Sequence, residues 1–189
     1  MNNRHEIQKR DSKLSVEQIV ATALALINEG DAQSFSIRNL SRELQVTPMA
    51  LYRHIGGRSE LLGLVLDLIL RDVDKAAETD PRLMSFSELA LSYGAVAMRH
   101  PQVFLAYLGD ANAQSTEAER LSRQMVAALV RLGHKPSEAE ILRNIVVDHT
   151  HGYVVASSSR CHTQANHTAL TDGFHQASSV LMSKLLRDQ

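Results

Sequence analysis

The stretch that decides the fold reads Ser36-Ile37-Arg38-Asn39-Leu40-Ser41-Arg42-Glu43-Leu44-Gln45-Val46-Thr47-Pro48-Met49-Ala50-Leu51-Tyr52-Arg53-His54-Ile55. Its first part predicts a short helix over residues 36–44, with Ile37, Leu40 and Leu44 inward. Leu44-Gln45-Val46 reads as a tight turn. Thr47-Pro48 then opens another helix with two agreeing signals: a Thr at the N-cap, and a Pro at the first helical position, where a missing N–H costs nothing. That helix, residues 48–54, is only about two turns long. Leu51 and Ile55 share one side of it and can join Val46 in a core, whereas Met49, Tyr52 and Arg53 lie on a different side.

So short a helix with an arginine, an aromatic and a methionine turned outward has little packing purpose. Two helices joined by a three- or four-residue turn, the second with an exposed polar-aromatic face, form a helix-turn-helix. The second helix of such a unit can enter the DNA major groove. Upstream, residues 15–29 supply a supporting helix: Ser15 and Gln18 stand at capping-box spacing, and Val16, Ile19, Val20, Ala23, Leu24 and Ile27 make one apolar stripe ended by Gly30. The fourteen residues before it, with Arg4, Lys9, Arg10 and Lys13, read as a flexible arm.

Downstream of Gly56-Gly57, a long helix is predicted from Arg58 to about Ala77. Its first half (Leu61, Leu62, Leu64, Val65, Leu66, Leu68, Ile69) is apolar nearly all round, as befits a helix lying between two bodies. Thr79-Asp80-Pro81 breaks it. Further helices follow at about 86–99, 102–108, 117–132, 137–158 and 169–187, with His100-Pro101 and Gly133 as stops and Ser137/Glu140 as a capping box. Residues 157–167 read as polar and irregular. The expected architecture is all-α: an arm over 1–14, a three-helix helix-turn-helix domain over 15–60, and a larger helical body over 61–189.

Composition narrows the function classes. The net charge of −1 does not announce a nucleic-acid binder, but its distribution does more: residues 38–58 carry four Arg (38, 42, 53, 58) against one acid, Glu43, whereas residues 61–189 hold twelve basic and fourteen acidic groups. A basic patch on a neutral body suits a site-specific DNA reader, although a solvated charged face gives the same count. The single cysteine, Cys161, cannot form an internal disulfide and fits a reducing cytosol. No secretory pattern opens the chain, and the longest apolar run, Leu61 to Leu70, is ten residues with Asp67 inside it, too short for a bilayer. The expected location is therefore cytoplasmic, without a membrane partner.

Over its first 70 positions the chain resembles the TetR family of transcriptional regulators, most nearly the tetracycline-repressor-like branch. The residues that carry the resemblance are the amphipathic helix 16–27, the segment 36–44 with its turn, Leu51-Tyr52-Arg53-His54, and Arg58-Ser59-Glu60-Leu61-Leu62. Behind them, helix number, helix lengths and the His100-Pro101 break agree. Two positions depart: Gln45 stands where the family has Gly, at a cost of roughly 1 kcal/mol if its backbone is left-handed, and Ile55 replaces the commoner Phe.

The resemblance implies a ligand-responsive repressor that reads a palindromic operator as a homodimer, its recognition helices roughly 34–36 Å apart. Met49 and Arg53 are the candidates for base edges, since an arginine fork can grip guanine bidentately. Arg38 reaches a base or a phosphate; Thr47, Tyr52, His54 and Arg58, with Pro48 shaping the helix start, are assigned to the backbone contacts. Partial burial beside Leu51 is the alternative for Tyr52, and capping of its own helix the alternative for His54. The implied dimer pairs two C-terminal helices through Leu142, Ile145, Val146, His149 and Tyr153 on one and Phe174, Ala177, Leu181 and Leu185 on the other, closing a four-helix bundle; alternatively both stripes face the monomer core. A small-molecule effector is expected among Met98, Phe104, Tyr107, Met125, His149 and Tyr153, each of which also suits a plain core. No cofactor or metal is expected. His149 and His151 diverge on a helix, and the Cys161, His162 and His167 group has no carboxylate or second cysteine close by. An enzyme and a pure protein-interaction module are the other rivals; against an enzyme, the chain has no Gly-rich phosphate loop, nucleophile elbow or paired acids. The operator, the effector, the regulated genes and the sign of regulation are not written in the sequence.

Overall fold

The computed structural model describes residues 14–30, 35–76, 80, 84–158 and 164–186. Among the described residues every regular element is helical: α1 (Val16–Glu29), α2 (Ile37–Glu43), α3 (Pro48–Tyr52), α4 (Arg58–Leu70), a 3₁₀ turn (Asp74–Ala76), α5 (Phe86–Arg99), α6 (Pro101–Leu108), α7 (Thr116–Arg131), α8 (Pro136–Ser158) and α9 (Gln164–Leu185). None of the described helices is long and apolar enough to cross a membrane. The expected arm lies outside the described residues except for Leu14, which is buried. The helix break expected at 79–81 is described only at Asp80, and Cys161 and His162 lie outside the described residues, as does the side chain of His167.

Local chemistry explains the first three helices. The Ser15 hydroxyl accepts the Gln18 N–H, and Ile19, Val20, Ala23 and Ile27 fall on the buried side of α1. Ser36 caps α2 by accepting from Asn39 N–H, and Thr47 caps α3 by accepting from Ala50 N–H, with Pro48 at its first position. Between them Gln45 adopts φ +55°, and the Val46 N–H donates to the Ser41 carbonyl to close the turn. Helix α3 is two residues shorter than expected. Arg53 is its C-cap, and the His54 N–H reaches back only to Leu51, tightening the last turn.

Helix α4 runs through the middle of the molecule. Its residues Leu61, Leu62, Val65, Leu66, Ile69 and Leu70 are buried, and it packs on α1 from one side and on α5, α6 and α7 from the other. It ends at Leu70 rather than near Ala77. Asp72 and Val73 donate to Ile69 and Leu70, which tightens the chain into three-residue turns and drives Val73 into the core. Arg99 and Lys75 hold Asp72 there, and Arg120 holds Asp74. Gly63 is required where α4 passes beneath the connection between α6 and α7, since a Cβ would lie 1.8 Å from the Gln114 carbonyl oxygen.

The body follows the expected breaks, and the main differences lie around helix starts. Ser85 and Glu88 form a complete capping box for α5 that the sequence reading did not single out. Helix α8 opens at Pro136, so Ser137 stands inside the helix rather than at its cap; proline needs no N–H partner there and presets the backbone. Helix α9 begins at Gln164, five residues before the expected start. His100 and Gly133 (φ +102°) end α5 and α7 as expected. One continuous core joins the front helices to the body.

Candidate functional site

The first candidate is the outer side of α3. Ala50 and Leu51 are fully buried, which fixes how the helix sits, and the same constraint leaves Met49 70% and Tyr52 47% exposed. Thr47, Pro48 and Arg53 are exposed with them, Arg38 and Arg42 are exposed on α2, and His54 is half-buried. Tyr52, about half covered, keeps both the outward reading and partial burial beside Leu51. The Thr47 oxygen caps the helix by accepting, so its proton remains available to donate.

Arg58 is the exception among the expected contacts. Its Nη1 donates to Asp110 Oδ2 at 2.9 Å, its Nε points to the Phe35 carbonyl at 3.4 Å, and the Ser59 hydroxyl donates to the same carboxylate. The guanidinium braces the start of α4 against the chain that follows α6, so the side chain expected to grip a phosphate is held in an ion pair. Asp110 was not anticipated, because its partners lie 51 and 52 residues away.

The second candidate is a partly open cavity of about 150 Å³ lined by α4–α8. Of the residues expected to meet an effector, Phe104, Tyr107 and Met125 line it; so do Leu66, Tyr93, Leu121, Ser122, Arg143, Val147 and His151, which were not singled out. Met98, His149 and Tyr153 lie outside this cavity. His149 and Tyr153 instead group around Phe174, with the imidazole stacked on the phenyl ring at 5.9 Å. Inside the cavity wall Tyr93 and Phe104 meet edge to face at 5.6 Å, and Tyr93 Oη lies 2.7 Å from His151 Nε2. Burial pushes the Tyr93 phenol well above its ordinary range, with Tyr107 adding to it. Burial also holds His151 below the usual imidazole value, against the opposing pull of Asp148. Both groups are therefore neutral near pH 7.

The third is the outer face of α8. Ile141, Ile145 and Val155 are 40–59% exposed and share this face with Asp148 and Gly152. Val146 and Phe174, expected at a subunit interface, are buried in the monomer, where the Phe174 ring closes on Gly94. A Cβ on Gly94 would sit 2.1 Å from that ring, so the close approach of α5 and α9 fixes Phe174 inward. Leu142, His149, Tyr153, Ala177, Leu181 and Leu185 are half-buried flanks.

No family model matches the chain. It is 26% identical over 179 residues to the HTH-type transcriptional repressor DrrR1 of Streptomyces coeruleorubidus; the match covers 92% of this chain and 64% of that protein. Among solved structures, Mycobacterium smegmatis BioQ superposes with a TM-score of 0.73 at 24% identity, over 93% of this chain and 100% of BioQ. BioQ has also been solved with its natural double-stranded DNA operator. The Streptomyces coelicolor TetR family protein ActR, solved with (S)-DNPA, superposes with a TM-score of 0.69 at 19% identity, over 92% of this chain and 98% of ActR. The chain thus has the fold of the TetR-family regulators, an N-terminal helix-turn-helix domain backed by a larger all-helical domain.

Proposed function

We propose that this protein is a cytoplasmic, homodimeric transcriptional repressor, not an enzyme, that binds a palindromic operator and is released by a small-molecule effector. The observation that carries the reading is the division of α3: Ala50 and Leu51 anchor it completely, while Met49 and Tyr52 stand in solvent beside Arg53. Such a helix suits the major groove, with Met49 and Arg53 toward base edges and Arg38, Thr47, Tyr52 and His54 toward phosphates. The operator complex of BioQ and the repressor name of the Streptomyces relative support DNA as the partner.

The reader would comprise residues 15–60 and the effector-binding and dimerising body residues 61–189. Two copies would meet through the outer face of α8 and its half-buried flanks. The cavity lined by α4–α8 is the effector site in this reading, and the small-molecule complex of ActR supports such a partner. Because α4 both touches α1 and walls the cavity through Leu66, a ligand that prefers one setting of α4 would shift the spacing of the readers.

A selection on random duplex DNA, followed by titration of the winner at several salt concentrations, tests the reading. A palindromic winner whose binding falls steeply with salt and is lost on Arg53→Ala supports it. Binding indifferent to sequence would overturn it.

A further inference from the structure

The cavity that would hold the effector has an unequal electrostatic lining. Its wall is built from Leu66, Phe104, Leu121, Met125 and Val147, with Tyr93, Tyr107, Ser122 and His151 as neutral polar groups. Among the described residues, one formally charged side chain lines it, that of Arg143, and no carboxylate does. The Arg143 Nε is buried and has no hydrogen-bond partner. Leaving a guanidinium N–H unsatisfied out of water is costly, and interiors ordinarily resolve this with an acid or a carbonyl. Other arginines of the molecule are so resolved: Arg120 by Asp74 and Glu117, Arg131 by the Met84 carbonyl, Arg58 by Asp110. Arg143 is the one whose counter-group is missing where a ligand has room to sit.

From this lining we infer that the effector is a small, planar, largely apolar anion, a single aromatic ring bearing a carboxylate, held by Arg143. The size follows from the cavity, since about 150 Å³ is the space that receives one benzene-sized ring. The shape follows from the edge-to-face ring pair Tyr93–Phe104. The charge follows from Arg143, whose Nε lacks a partner: a carboxylate would complete the arginine fork, and the acids that act on the cavity's Tyr107 and His151 (Asp67, Glu119 and Asp148) stand outside the lining. The Tyr93–His151 pair supplies a neutral donor and acceptor for a second polar substituent. The inference deepens the effector reading and rests on it for its biological meaning, but not for the binding chemistry.

Calorimetric titration of the whole protein with benzoate, salicylate and the neutral benzamide tests it. The acids should bind and benzamide should bind at least about tenfold more weakly, the difference expected of a charge-assisted contact. Arg143→Gln should remove that preference, and Arg143→Lys should retain part of it, with thermal melts showing that both variants fold. Equal binding of benzoate and benzamide, acid binding unchanged by Arg143→Gln, or no binding of any of the three overturns the proposal. A separate arm adds benzoate to the operator complex. Arg143-dependent binding without DNA release would leave the anion site standing and sink the effector reading; DNA release by benzamide as readily as by benzoate would do the reverse.

Discussion

Arg58 Nη1 and Asp110 Oδ2 stand 2.9 Å apart, and through that pair the first turn of α4 is fastened to the chain just beyond α6. The same helix α6 contributes Phe104 and Tyr107 to the cavity, so one short segment touches both the cavity and the first turn of α4. The Asp110 carboxyl lies below the usual carboxylate range. Desolvation works against this, but the Asn112 N–H, the Ser59 hydroxyl and Arg58 together outweigh it. With the folded value depressed, the contribution is fully present above the ordinary carboxylate pKa, about 3.9, and is lost as pH falls through the lower folded value. The pair therefore holds across the neutral range and opens only in strong acid.

Arg58→Ala and Asp110→Asn should accordingly lower operator affinity by similar amounts, within about twofold to thirtyfold, and the double variant by no more than either. Both should leave the salt slope of DNA binding unchanged. A slope reduced by about one for Arg58→Ala alone would mean that Arg58 grips a phosphate after all.

Asp67 makes a second tie from α4, this time to the start of α7. It is 8% exposed and accepts from the Ser115 and Thr116 hydroxyls and from the Glu117 N–H. Asp67→Ala would strand these donors in the interior at a cost of about 2–4 kcal/mol, which for a chain of this length lowers Tm by roughly 5–15 °C. Asp67→Asn keeps an acceptor and should lose less than half as much. Thermal denaturation of the two variants decides it; equal losses would show that the charge, not the hydrogen bonding, holds the junction.

What could be read from the sequence is what local chemistry determines. Ser15, Ser36 and Thr47 cap the helices they precede, and Gln45 takes the left-handed backbone that the turn demands, because each depends on neighbours within a few residues. The end of α4 was not legible: Arg99 and Arg120, 27 and 46 residues away, hold the aspartates that tighten the chain there. Nor was the inward face of α8. That helix carries apolar residues on several sides, and its buried line is Ala139, Val146, Thr150 and Val154, with Arg143 and Val147 beside it. Pattern reading sends an arginine to solvent, so the one charged residue in the cavity wall was the hardest to foresee.

Gly152 tests whether the outer face of α8 meets a second copy. Within one chain a Cβ there meets nothing within 4 Å, so Gly152→Ala should stabilise the isolated helix by about 0.8–1 kcal/mol. At a closely packed seam between subunits the same Cβ would hold the helices apart and weaken the dimer. Ile145→Glu, which would place a carboxylate from each subunit in that seam, should weaken it at least about tenfold. Analytical ultracentrifugation across a concentration series reads both. A dimer undisturbed by Ile145→Glu would place the subunit contact elsewhere.

Gln45 offers the cleanest stability test of the helix-turn-helix, because its φ of +55° carries strain and its side chain is exposed. For an L-residue the left-handed region crowds Cβ against the following carbonyl, and glycine escapes that crowding while giving up some chain entropy on folding. The crowding is the larger effect here, so Gln45→Gly should stabilise the protein by about 0.5–1 kcal/mol. That amount raises Tm by roughly 1–4 °C at this chain length. Gln45→Ala keeps the Cβ and should leave Tm within a degree or so of the parent. A rise with both variants would credit the lost side chain rather than the backbone, and a fall with glycine would mean that chain entropy outweighs the strain. Operator affinity should stay unchanged in the glycine variant, since the turn that angles α3 is relieved rather than rebuilt.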